Sequence, residues 1–130
     1  MENTEQGFSL FELLIVLVII SILATISYPI YTHALKKTRR TEAKIALINL
    51  AQHMEIYYLA NNNSYEGANF SRLHLKDFTE RNFYQLALKS TTSTYQLSAK
   101  AKFSDSECDL FMLNQLGEKT NAGKSSNLCW

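Results

Sequence analysis

The sequence predicts an α+β fold in which a long N-terminal α-helix, membrane-spanning in its first half, packs on a small antiparallel β-sheet. Three observations predict it. The 21 residues from Phe8 to Tyr28 include few polar members, Glu12, Ser21, Thr25 and Ser27 among them, and at helical rise such a run covers about 30 Å, the depth of a bilayer's hydrocarbon core. The apolar residues that follow recur at helical spacing as far as Tyr58. From Tyr84 onward the apolar period becomes two, the signature of half-buried strands.

Met1 to Gly7 (MENTEQG) is a short polar leader with two acidic residues. It lacks the positive n-region of a secretory signal peptide, and the apolar run ends in SYPIY without a small-x-small cleavage site. The charge bias is unusual. Acidic residues precede the span and KKTRRTEAK (residues 36–44, five cations and one anion) follows it. Taken alone, the positive-inside rule would leave the C-terminal part in the cytoplasm.

After Pro29, the residues Ala43, Ala46, Leu47, Leu50, Ala51, Met54, Tyr57 and Tyr58 form one stripe of an amphipathic helix. Pro29 is the one breaker between span and stripe, so a single helix of about 50 residues is expected. It should stop at Asn61-Asn62-Asn63-Ser64, where asparagine tolerates left-handed geometry. Residues 64–80 show no sustained period and read as a connecting loop with at most a short turn of helix. Tyr84, Leu86 and Leu88 then alternate with polar or small residues, as do Tyr95, Leu97, Ala99 and Ala101, with an STTS turn between them. This is a hairpin pattern. A third strand, DLFMLNQ, follows Cys108, and EKTNAGKSSNLCW reads as a polar tail ending in Cys129 and Trp130.

A chain of 130 residues accommodates one domain, or one domain with an appended element. Formal charge is +1, and from Glu55 onward there are eight acidic and eight basic residues. A general nucleic-acid binder is usually more basic. His33, His53 and His74 have no metal-ligand spacing, and no nucleophile motif, P-loop or dinucleotide glycine motif is present. Neither catalysis nor a cofactor or metal is expected. Cys108 and Cys129 are too far apart for a CxxC motif. If their domain lies outside the cytoplasm, a disulfide closing a loop of roughly 20 residues and worth about 3 kcal/mol is the natural reading. Otherwise they are two free thiols. Lys36, Lys37, Arg39 and Arg40 suit anionic lipid headgroups, acidic residues of a neighbouring subunit, or plain solvent exposure.

Glu12 stands at the edge of the apolar run, where an unpaired carboxylate is costly in hydrocarbon. Gly7, Phe8, three residues, then Glu12 and LLIVLVIISILA together resemble the type III signal of type IV prepilins and related pseudopilins. Pro29 and Tyr31, the long helix with its basic midsection, the antiparallel strands and the late cysteine pair extend the resemblance over nearly the whole chain. It is strong through residue 60 and architectural beyond. Size, the YY-plus-NNNSY helix exit and the terminal C…CW are similar to PilE-type minor pilins.

The resemblance implies a pilin fold with a leader at 1–7, a membrane and assembly helix at 8–29, the amphipathic half of that helix at 30–61, and a loop, sheet and disulfide-bounded region at 62–130. It implies cleavage by prepilin peptidase between Gly7 and Phe8, N-methylation of Phe8, and Glu12 meeting the Phe8 amine of a neighbouring subunit to set axial register. A helix-start carboxylate favoured by the macrodipole is the simpler reading of Glu12, compatible with the first. The implied partners are other pilin subunits, the peptidase, an inner-membrane assembly platform, and the bilayer before assembly. The implied location is the inner membrane with a periplasmic C-terminal domain, and later a surface pilus serving adhesion, motility or DNA uptake. A type II secretion pseudopilin is the alternative, and the Cys108–Cys129 pair favours a pilin. A competence pilin contacting DNA phosphates through Lys100, Lys102, Lys119 and Lys124 is a weaker one. Two departures stand out. The leader is acidic where relatives are commonly basic, and Ser21 stands where they often carry Gly or Ala. The stretch from Ser21 through Thr25 and Ser27 to Pro29 is the weakest helical segment and is expected to loosen on assembly.

Overall fold

The computed structural model describes residues 7–122 and 129–130. The chain divides into two units, Met1–Leu35 and Lys36–Trp130. Helix α1 runs Leu10–Ala60, 51 residues, through Pro29 without interruption. Ser9 caps its start: its hydroxyl accepts the Glu12 N–H at 3.2 Å, and its carbonyl accepts Leu13 N–H. In the first unit the helix surface is almost wholly exposed, and α1 is long and apolar enough to cross a membrane. Its hydroxyls turn back on the helix, Ser21 Oγ donating to Leu17 O and Thr25 Oγ1 to Ile22 O, both at 2.7 Å.

In the second unit α1 buries Ala43, Leu47, Leu50 and Met54, the predicted stripe. The helix ends where the asparagines predict: Asn62 and Asn63 adopt φ of 52° and 57°, and Asn63 N–H closes on Tyr58 O at 3.0 Å. Strands β1 (Tyr84–Ser90), β2 (Tyr95–Ala101), β3 (Leu110–Asn114) and β4 (Lys119–Asn121) form one antiparallel sheet in sequence order. Tyr84 pairs with Ala101, Leu97 with Leu113 and Phe111 with Asn121. The inward residues of β1–β3 (Tyr84, Leu86, Tyr95, Leu97, Ala99, Phe111, Leu113) join the helix stripe in one core.

Two features differ from the sequence reading. Strand β4 lies in the stretch read as a polar tail. Its three residues carry no apolar alternation, and an edge strand needs only backbone pairing, here with β3. Residues 77–79, read as part of a connecting loop, lie along the edge of β1. Leu86 N–H donates to Asp77 O at 2.7 Å and Thr79 N–H to Tyr84 O at 3.0 Å. Between residues 64 and 80 a single helical turn forms, Leu73 N–H donating to Asn69 O at 3.0 Å, without continuing into a helix.

Candidate functional site

Three surfaces carry the residues singled out in the sequence. The first is the start of α1. Ser9-Leu10-Phe11-Glu12 has the S-x-x-E spacing of a capping box, with Glu12 at the third helical position, and the half of it in which the Ser9 hydroxyl accepts the Glu12 N–H is formed. Ser9 is a functional position the sequence reading passed over, although the S-x-x-E spacing announces it. Glu12 is exposed, as are Phe8 and Phe11 beside it. A side chain at Gly7 would meet nothing within 4 Å, so no internal packing demands glycine there. The leader residues 1–6 lie outside the described residues.

The second surface is the outward side of α1 in the second unit. Thr38, Thr41, Ile45, Ile48, Gln52, Ile56 and Leu59 recur at intervals of three and four and include no charge. Ile45 is 62% exposed, Ile56 64% and Leu59 75%. Beside Ile45 a groove of about 500 Å³ runs between α1 and residues 75–81, with Ala46, Leu50, Leu75, Phe78 and Leu86 among its lining. The helix thus has two apolar sides, one filled by the sheet and one open.

The third surface is basic, and the structure divides it. Arg40 is not a free cation. Its Nε donates to Asp105 Oδ2 at 2.8 Å and its Nη2 to Oδ1 at 2.7 Å, with Glu107 Oε2 at 3.1 Å. Asp105 is buried, and the Arg40 fork holds its carboxyl below the usual carboxylate range, with the Cys108 N–H helping. Arg39 lies 4.6 Å from the Phe83 ring centre and 4.9 Å from that of Phe103, a doubled cation–π contact. Two of the four cations assigned to lipid or solvent are therefore spent inside the domain, because the β2–β3 connection brings Phe103, Asp105 and Glu107, and the entry to β1 brings Phe83, onto that side of α1. Cys108 and Cys129 are joined by a disulfide, and Cys108 follows Asp105 by three residues, so the bridge is tied to α1 through Arg40.

The lysines proposed for DNA do not form one patch. Lys100 and Lys102 project from one side of β2, whereas Lys119 pairs opposite inward-facing Leu113 and lies 5.4 Å from the Trp130 ring centre. Lys124 lies outside the described residues. Lys102 is instead joined by Lys76: both ammonium groups stand 5.5 Å from the Phe78 ring centre, and Lys102 donates to Asn82 Oδ1. Lys76 and Phe78 gave no sequence signal because the loop that carries them has no period. Among the described residues, no group of three or more histidines, cysteines or carboxylates could hold a metal.

The prokaryotic N-terminal methylation motif matches residues 3–28. The family model of the type IV minor pilin ComP, DNA uptake sequence receptor, matches residues 29–112, more than half the chain. Among solved structures, the non-core minor pilin PilV of Neisseria meningitidis is similar in fold, with a TM-score of 0.58 and 22% identity over 73% of this chain and 93% of that one. No curated protein sequence matches. The apolar N-terminal helix and the methylation motif fit membrane anchoring and assembly with other pilins, and the match to a minor-pilin model selects a pilus over a secretion system. A long helix whose first part carries the methylation motif and whose second part packs on a four-stranded antiparallel sheet is thus the architecture of a structural subunit, and the chain belongs to the ComP family of type IV minor pilins.

Proposed function

We propose that the chain is made as a prepilin, cut after Gly7 by prepilin peptidase, N-methylated at Phe8 and held in the inner membrane by residues 8–29 with residues 62–130 in the periplasm. The assembly platform then moves it into a fibre. The observation that carries this reading is the exposed sequence from Gly7 to Glu12 at the head of an exposed apolar helix. Glycine there has no internal packing role, which suits an extended backbone lying in a protease cleft. Cleavage would expose the Phe8 amine, and Glu12 of a neighbour would pair with it. A buried carboxylate tolerates one axial position of its partner and no other, so the pair would set register. The uncharged outward stripe of α1 would then be covered by neighbouring subunits. Mass spectrometry of the mature protein should find N-methylated Phe8 as its first residue; any other terminus overturns the reading. Glu12→Ala should be cleaved normally but enter fibres poorly, and normal entry refutes the register role.

A second reading is DNA binding, which the name of the matched family attaches to ComP. Lys76 and Lys102 flanking Phe78, with Lys100 adjacent on β2, combine phosphate-seeking cations with an aromatic ring. Replacing Lys76 and Lys102 by alanine should weaken binding to duplex DNA and flatten its salt dependence by about one unit of slope per lost phosphate contact. Unchanged affinity and slope would remove this site.

A further inference from the structure

We infer that the hollow between the β1–β2 turn and the end of β3 is a binding site for an acidic saccharide, a sugar ring carrying a carboxylate. The strand register builds it. Lys89 pairs opposite Gln96 and Gln96 opposite Asn114, so three polar side chains stand in one row on the outward side of the sheet. Ser90, Thr91, Thr94 and Gln115 close around this row and leave an open hollow of about 350 Å³. Its size lies at the small end of the roughly 300–1,000 Å³ that ligand sites occupy. The larger groove beside Ile45 adjoins the uncharged stripe of α1 already assigned to neighbouring subunits.

Lys89 is the one charged residue in the lining, and it has no carboxylate partner among the described residues. The carboxylates that touch the lining are engaged. Glu118 takes the Asn114 amide, and Glu55 takes the Tyr65 and Tyr95 hydroxyls. An ammonium alone among neutral groups favours one negative charge on the ligand. The neutral groups are unspent. The Gln96 amide has only the Met112 sulfur, a weak acceptor, at 3.6 Å. The side chains of Ser90 and Gln115 make no hydrogen bond among the described residues. Thr91 Oγ1 and Thr94 Oγ1 form an adjacent hydroxyl pair, 2.7 Å apart. Hydroxyls and amides both donate and accept, as the hydroxyls of a sugar do. Asn114 fixes the end of the row: its Oδ1 accepts the Leu116 N–H at 3.0 Å and the Glu118 N–H at 2.9 Å. Nucleic acid suits the hollow poorly. Its one ring, Tyr95, is buried, so no aromatic face is open for a base to stack on. A peptide suits it poorly too, since no aliphatic residue lines the hollow to receive apolar side chains. Displayed on the fibre proposed above, the site would serve adhesion.

The test titrates the full chain, held in micelles of the sugar-free detergent dodecylphosphocholine, with sialyllactose, a hyaluronan oligosaccharide and lactose. Saturation-transfer difference spectra report binding. One or both acidic sugars should bind in the millimolar range, and lactose about tenfold more weakly, the worth of one charge-assisted hydrogen bond. Lys89→Gln should bring the acidic sugars down to the level of lactose, and Gln96→Ala should weaken every sugar a few-fold. Both side chains are exposed, so circular dichroism melting of the two variants should match the wild type. Failure of both acidic sugars to bind, equal binding of lactose, or binding that survives both variants overturns the inference. Binding of duplex DNA or polyglutamate without either acidic sugar overturns it in favour of a site for any polyanion.

Discussion

Arg40 illustrates how one residue changes meaning between sequence and structure. Within KKTRR it reads as one more surface cation, yet its fork closes on a buried aspartate 65 residues away. Removing it strands the Asp105 charge, so Arg40→Ala should cost about 3 kcal/mol in urea unfolding at neutral pH. Because the folded-state pKa of Asp105 is depressed, its contribution is present above the unfolded value of about 4 and is lost as pH falls through the folded one. The gap between wild type and variant should therefore shrink in strong acid; a pH-independent gap would assign the loss to packing. The tyrosines titrate at the other end. Tyr65 and Tyr95 both donate to Glu55, and burial with that carboxylate pushes Tyr65 up to about 12. A phenol raised in the folded state stabilises below its unfolded pKa and loses that contribution as pH climbs toward the folded one. Ultraviolet difference titration should show these phenols ionising late, with stability falling from about pH 10 upward.

At the scale of elements, α1 combines two opposed designs. From Lys36 to Ala60 it has a packed side, while from Ser21 to Pro29 it has hydroxyls bonded to its own backbone and a proline that supplies no N–H to the Thr25 carbonyl. Hydrogen exchange in assembled fibres should find residues 21–29 the least protected part of α1; full protection there would refute the loosening. The disulfide works at the other end of the chain. It closes a loop of sequence separation 21, so Cys108→Ser with Cys129→Ser should cost about 3 kcal/mol and free Trp130 from Phe111, visible in its emission. Helix, hairpin and third strand were readable from period alone. The edge strand and residues 77–79 were not, because they are held by backbone bonds that any side chain allows.

Across the whole molecule, the helix faces matter more than any single contact. Ile45→Lys or Ile56→Lys alters only the open side of α1 and should leave domain stability within about 0.5 kcal/mol. Fibre incorporation, scored by immunoblot of sheared pili, should fall. Normal incorporation would show that this side stays uncovered in the fibre.

The sequence alone determined the apolar span, the helix and its asparagine stop, the hairpin and the prepilin motif, because each rests on local period or on residue types a few positions apart. Tertiary structure alone decided which cations are free. Arg39 and Arg40 are consumed by rings and acids that reach them from beyond residue 80, Lys76 joins Lys102 across a ring, and Lys119 parts from Lys100 because they lie on opposite sides of the sheet. Charge partnership depends on distances between residues far apart in the chain, and only the folded packing of helix and sheet sets those.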